Sequence, residues 1–98
     1  MSPDDLDRRR AEGGDLVVVD VRSRREFDEG RVPGAVNLPF WRVLFARVPS
    51  GGDLVLYCGH GPRARIARTL LRLRGVARVD LLDGHYSEWH RQSRRVER

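Results

Sequence analysis

LVLYCGHGPRARIARTLL, from Leu54 to Leu71, joins a continuous apolar run to a helical one through a short glycine-rich loop. Leu54 to Tyr57 carries no charged residue, as a strand covered on both faces requires. Ile66, Ala67, Leu70 and Leu71 recur instead at helical spacing, and Gly75 stands where such a helix ends. The unit is strand, loop, helix. Leu16 to Val19 is a second apolar run rich in Val, and Val76 to Leu82 reads as a third. Strands alternating with helices predict an α/β fold with a central parallel sheet flanked by helices on both faces.

Between these runs the chain carries helix signals. Ser2, Pro3 and Asp5 form an N-cap, a proline at the first helical position and an acidic residue three beyond the cap. Asp4 and Asp5 open that helix and Arg8, Arg9 and Arg10 close it, the charge order its dipole favours, before Gly13-Gly14. Ser23 and Glu26 form a capping box that predicts a helix from Arg24 to Glu29, stopped by Gly30. Pro33-Gly34 is a turn and Ala35 to Leu38 a brief strand. Phe40 to Val48, bounded by Pro39 and Pro49, carries an approximately helical stripe of Phe40, Trp41, Leu44, Phe45 and Val48. Two of the three aromatics Phe40, Trp41 and Phe45 are expected in the core rather than in a pocket wall. Asp83-Gly84 is a turn, Tyr86 and Trp89 mark a last helix, and residues 92–98 are expected to fray.

At 98 residues, residues 1–98 form one domain, and its 40% hydrophobic content is enough for one core. All 19 basic residues are Arg. With no Lys there is no Schiff base and no phosphate-loop lysine, which excludes pyridoxal-type enzymes and Walker-type nucleotide binding. A single Cys excludes an internal disulfide and any multi-cysteine zinc or iron–sulfur site. His60, His85 and His90 offer no i, i+4 pair, so neither a metal nor another cofactor is expected. No apolar stretch approaches the roughly 20 residues of a membrane span, and no hydrophobic signal segment opens the chain. The expected compartment is cytoplasmic, with no membrane partner. The net charge of +5 arises from arginines interleaved with 14 acidic residues, so it reads as a solvated surface and nucleic acid is not the expected partner.

Cys58 sits where parallel sheets bind ligands, beyond the carboxyl end of a strand. Gly59 and Gly61 allow a tight turn whose N–H groups point inward, and Pro62 suits a first helical position. The loop is built as an anion cradle. A thiol at its centre, near a helix amino terminus and Arg63, is favoured as thiolate and is the expected nucleophile. Free cysteines are also common in cores. Two glycines, a proline and an arginine within five positions are costly there unless the backbone needs that shape, which favours the nucleophile.

The segment from Asp20 to Pro39, DVRSRREFDEGRVPGAVNLP, resembles the rhodanese family's Asp-x-Arg, a Glu four residues on, Gly-x-x-Pro-Gly-Ala and Asn-x-Pro. Cys58 to Arg63 resembles its six-residue active-site loop, and Leu82-Asp83-Gly84 with Trp89 its closing turn and Trp. The resemblance implies a sulfurtransferase whose Cys58 thiolate takes a sulfane sulfur as a persulfide and delivers it to a thiophilic acceptor. The implied partners are a small anionic donor such as thiosulfate and a cyanide or thiol acceptor, with a protein acceptor as a further candidate. Gly59, His60, Gly61 and Ala64 would offer backbone N–H groups, Arg63 would clamp the anion, and Asp20 and Arg22 would be supporting residues. Asp20 as a turn cap and Arg22 as a carboxylate's ion pair are the equally weighted alternatives. His60 is either a base near Cys58 or a side chain facing solvent.

The chain departs from the family at Arg31, where His is usual, and at His85-Tyr86, where Gly-Trp is usual. A short strand before the first helix is missing, which leads to the expectation of a trimmed or excised domain. Two other functions compete. Phosphatases and arsenate reductases also place a thiolate in an anion loop, but tyrosine-phosphatase-like loops have five residues between Cys and Arg, against four between Cys58 and Arg63. A non-catalytic binding module is disfavoured by an intact Cys58. An RNA-linked role through the Arg-rich tail would show a steep salt dependence.

Overall fold

A computed structural model describes all residues from Met1 to Arg98. Ser2 Oγ accepts the Asp5 N–H at 3.0 Å and caps α1, Pro3–Ala11. β1, Leu16–Asp20, leads to α2, Arg24–Glu29, whose Ser23–Glu26 capping box has both of its hydrogen bonds. β2 is only Val36–Asn37, β3 is Asp53–Tyr57, α3 is Pro62–Leu73, β4 is Val79–Leu81 and α4 is His85–Arg91. The sheet runs β2-β1-β3-β4, and every pairing is parallel.

Alternation along the central strands divides the interior in two. Leu54 and Leu56 face α3, where Ala64, Ala67 and Leu71 bury against them together with Val43. Val55 and Tyr57 face the opposite layer, made by Leu6 of α1, Phe27 of α2 and Trp89 of α4. Helices therefore cover both faces. Asp20 lies beside Tyr57 in register, so the ends of β1 and β3 open together on the edge that carries Cys58.

The expected helix over Phe40 to Val48 does not form. Phe40–Arg42 is one 3-10 turn followed by further turns. With three residues per turn, Phe40, Val43 and Ala46 align inward at i, i+3 and i+6, and Trp41 and Phe45 turn outward. The expectation that two of the three aromatics are core is thus overturned, since only Phe40 packs against it. Arg74 holds this segment on α3 by donating from Nη1 to the carbonyls of Val43 and Ala46, at 2.7 and 2.8 Å. β4 is also shorter than the apolar stretch from Val76 to Leu82 suggested.

The carboxyl-terminal tail lies back against α1, α4 and the turn at Arg31. Arg94 pairs with Asp4 and Asp7 of α1, Glu97 and Arg31 exchange two backbone hydrogen bonds at 2.9 Å, and Trp89 Nε1 donates to Arg95 O. At the other end Met1 lies along β4, its ammonium donating to Leu81 O and its carbonyl accepting from Asp83 N, both at 2.8 Å. No helix is long and apolar enough to cross a membrane.

Candidate active site

Cys58 is the first residue past β3, and α4 holds its loop from above. Tyr86 N donates to Cys58 O at 2.9 Å, Ser87 N to Gly59 O at 3.1 Å, and Cys58 N donates to His85 Nδ1 at 3.3 Å. Gly61 turns the chain into α3 with φ of 129°, a conformation L side chains rarely adopt. Any Cβ there would lie 3.2 Å from His85 Nε2 and 3.0 Å from an Arg65 guanidinium nitrogen. This turn aims the Gly61 N–H at Cys58 Sγ, 2.9 Å away. The N–H groups of Gly59, His60, Arg63 and Ala64 donate to no acceptor within the chain. They crowd the amino end of a 12-residue helix, where free donors and the helix dipole both favour negative charge.

The thiol is buried beneath this loop. Above it lies an open groove of about 450 Å³ lined by Gly59, His60, Ser87, Tyr86, His90, Arg22 and Glu26. A separate cleft of about 250 Å³, among Met1, Arg9, Asp53 and Arg78, lies at the amino ends of β3 and β4 and shares no residue with that mouth.

Two ion pairs frame the site. Arg63 is held by Glu26 through two parallel bonds, Nη1 to Oε1 at 2.6 Å and Nη2 to Oε2 at 3.0 Å. The pair joins the first turns of α2 and α3, and Arg63 lies against Gly59. Hydrogen bonding from Arg63, reinforced by Ser23, lowers the Glu26 carboxyl from 4.5 to about 2. Because the folded value is depressed, this stabilisation is complete above pH 4.5 and is lost as pH falls from there to about 2. Acid titrations of unfolding should therefore show the wild type losing, across that window, an advantage that Glu26→Gln lacks. Parallel profiles for the two proteins would show that the pair contributes nothing to folding.

Deeper in, the Asp20 carboxylate is fully buried and receives the Arg22 N–H at 2.9 Å, Nε at 3.0 Å and Nη2 at 2.7 Å. Arg22 Nη2 also donates to Gly30 O at 2.6 Å, and its guanidinium lies 4.2 Å from the centre of the Tyr86 ring. Asp20 and Arg22 are thus each other's partner. Arg22 reaches the groove wall and Asp20 does not. The structure brings Cys58, Gly59, Gly61, Arg63 and Ala64 around one turn, with exposed His60 at the rim.

Sequence reasoning passed over His85 and Glu26 as site residues. His85 is buried and stands at φ of 54°, where a glycine would be relaxed. Burial, with Arg65 nearby, lowers its pKa and favours the neutral ring. Accepting through Nδ1 leaves the proton on Nε2 against Gly61. The signal for His85 was its departure from Gly-Trp at that turn. Glu26 was visible, but only as a helix cap.

The family model for the rhodanese-like domain matches residues 2–92. The chain belongs to the rhodanese-like domain family. This rhodanese-like domain is 33% identical to a sulfurtransferase of Allochromatium vinosum, a match covering 88% of the chain and 82% of that protein. It is 31% identical to the thiosulfate sulfurtransferase GlpE of Shewanella oneidensis, over 81% of the chain and 80% of the relative. Among solved structures, the human single-domain sulfurtransferase TSTD1 superimposes with a TM-score of 0.82 at 29% identity, covering 94% of this chain and 95% of that one.

Proposed function

We propose that this chain is a sulfurtransferase that carries a sulfane sulfur on Cys58. The observation that carries the reading is the single thiol under a turn of free N–H groups, with the Gly61 N–H already on its sulfur. Relatives named sulfurtransferases that match most of the chain support it. With thiosulfate as donor, the Cys58 thiolate attacks the outer sulfur, the S–S bond breaks, and sulfite departs with its electron pair. The resulting persulfide carries its negative charge on the added sulfur, which the N–H groups of Gly59, His60, Arg63 and Ala64, free of acceptors within the chain, are available to meet. Cyanide or a thiolate then attacks that outer sulfur, and Cys58 leaves as thiolate. Arg63 is engaged by Glu26, so backbone amides meet the anion and Arg63 acts by locking α2 to α3 across Gly59.

The test is incubation with thiosulfate followed by intact mass measurement and by cyanide. Gain of one sulfur atom and its release as thiocyanate are expected. An unchanged mass overturns the reading.

His85 positions the loop in this scheme. His85→Gly relieves the positive φ but leaves the Cys58 N–H without its acceptor, worth about 1–3 kcal/mol, so kcat/KM for thiosulfate should fall by roughly 5- to 150-fold. His85→Asn tolerates the same backbone and keeps an acceptor, and should retain most activity. Full activity in the Gly variant would reduce His85 to packing.

A turn with four residues between Cys58 and Arg63, whose guanidinium is already taken, leaves little room or charge for a tetrahedral phosphate. p-Nitrophenyl phosphate should be turned over negligibly. Hydrolysis that disappears in Cys58→Ser would show the contrary.

A further inference from the structure

The two layers around the sheet carry opposite charge. From Val32 to Gly52 and from Leu54 to Val79 there is no Asp or Glu, and eight of the 19 arginines fall there. The one acid in that interval, Asp53, faces Arg9 and Arg78 at the start of β3. The remaining eleven arginines, Arg31 over Phe27 among them, share the rest of the chain with 13 of the 14 acids, seven of which lie on α1, α2 and α4. The net charge of +5 is therefore a sum over a strongly cationic layer and a mildly anionic one. Arg42, Arg47, Arg65 and Arg72 of the cationic layer are exposed and face no carboxylate.

The same layer holds five of the six exposed large hydrophobic residues, Trp41, Leu44, Phe45, Ile66 and Leu73. Phe45 is 86% exposed, Leu73 77% and Trp41 63%. On α3 the outward stripe Pro62, Ile66, Thr69 and Leu73 starts one residue after Gly61 and runs about 16 Å from the Cys58 loop. Arg74 ties the carbonyls of Val43 and Ala46 to the far end of this helix, so the Phe45 side of the turn lies along it. Large apolar side chains set among arginines without acids form a face that water alone covers poorly.

We infer that the outer face of α3 and the turn over residues 40–46 is a docking surface for an acidic protein, one that sets apolar side chains among carboxylates. A second copy of this chain does not fit: the same face would meet like charge, and the anionic face it could offer instead adds only Val36 as an exposed large hydrophobic residue. A single-stranded nucleic acid would use the arginines and two aromatics, but Leu44, Ile66 and Leu73 offer no stacking plane. The inference rests on the proposed sulfur transfer only in assigning the role of this partner. Docked along the stripe, it brings a thiolate to the Cys58 loop. That thiolate attacks the outer persulfide sulfur, the S–S bond breaks, Cys58 leaves as thiolate and the partner departs carrying the persulfide.

The probe is an amphipathic peptide of about four turns with Leu and Phe flanked by Glu along the same face, beside its Lys counterpart and oligouridylate. Titration calorimetry should show saturable binding of the Glu peptide alone, weakened by salt and by about ten-fold in Phe45→Ser/Leu73→Ser. Transfer of sulfur from thiosulfate to cyanide should be unchanged in that variant. Binding needs no sulfur on Cys58, so loss of docking and loss of the sulfurtransferase reading are separate results. Four outcomes overturn the inference: no saturable binding of the Glu peptide, equal binding of the Lys peptide, oligouridylate binding that the double variant leaves intact, or a dimer in sedimentation equilibrium.

Discussion

Cys58→Ser is expected to abolish both the thiosulfate-derived sulfur adduct and the release of thiocyanate, a loss of more than about three orders of magnitude, or roughly 4 kcal/mol of barrier. A serine hydroxyl is scarcely ionised near neutral pH and has no affinity for a sulfane sulfur comparable to that of a thiolate. No other thiol can take over, because the chain holds one cysteine. The variant should fold, since the hydroxyl is close in size to the thiol and the Gly61 N–H at 2.9 Å from the sulfur can still donate to it. Intact mass after thiosulfate treatment and far-ultraviolet circular dichroism measure the two halves of this statement. An adduct that persists on folded Cys58→Ser would remove the nucleophile from Cys58.

The largest effect on folding is expected from Arg22→Ala. Asp20 is fully buried, and the Arg22 guanidinium supplies bonds to both of its carboxylate oxygens. Without Arg22 the carboxylate keeps only weak compensation in a low-dielectric interior, a change that costs about 3–5 kcal/mol in buried pairs. The Gly30 carbonyl and the Tyr86 face lose their partner as well. Urea unfolding should show a lower midpoint at unchanged slope, the product of midpoint shift and slope equalling that loss. Asp20→Asn/Arg22→Gln removes both charges together and should be milder, because no lone charge remains. If the single variant is no less stable than the double one, water reaches Asp20 and the pair is not a buried one.

The fold was legible where apolar periodicity and end signals agree. Leu16 to Val19 and Leu54 to Tyr57 are unbroken runs that fit only a covered strand, and Ser2 and Ser23 each cap the helix that follows them. It was not legible over Phe40 to Val48, where aromatics at helical spacing pointed to the wrong side. A three-residue period and a four-residue one share so many positions in nine residues that the arginine clamp from Arg74, invisible in sequence, settles which is used. The Cys58 loop was readable because its glycines and proline make sense only as backbone geometry. His85 was not, since its role arises from α4 returning across the loop, 27 residues away. The charge of the α3 layer is legible as the near absence of Asp and Glu from Val32 to Val79, a segregation along the chain that the total over 98 residues averages away.

The all-parallel sheet bears on how the chain reaches this state. Antiparallel neighbours can zip from a hairpin within microseconds, whereas each parallel pair here waits for an intervening helix to cross over. β1 aligns with β3 only after α2, β2 and the 3-10 turn have been threaded between them, and Met1 meets Leu81 across 80 positions. Loop closure must be completed before these contacts return any energy, which places folding toward the slow, milliseconds-to-seconds end for a chain of this size. During that interval Leu54 to Tyr57, buried in the finished sheet along its whole length, is exposed with its edges open, so the kinetic hazard of this molecule is association through β3 before the sheet is complete.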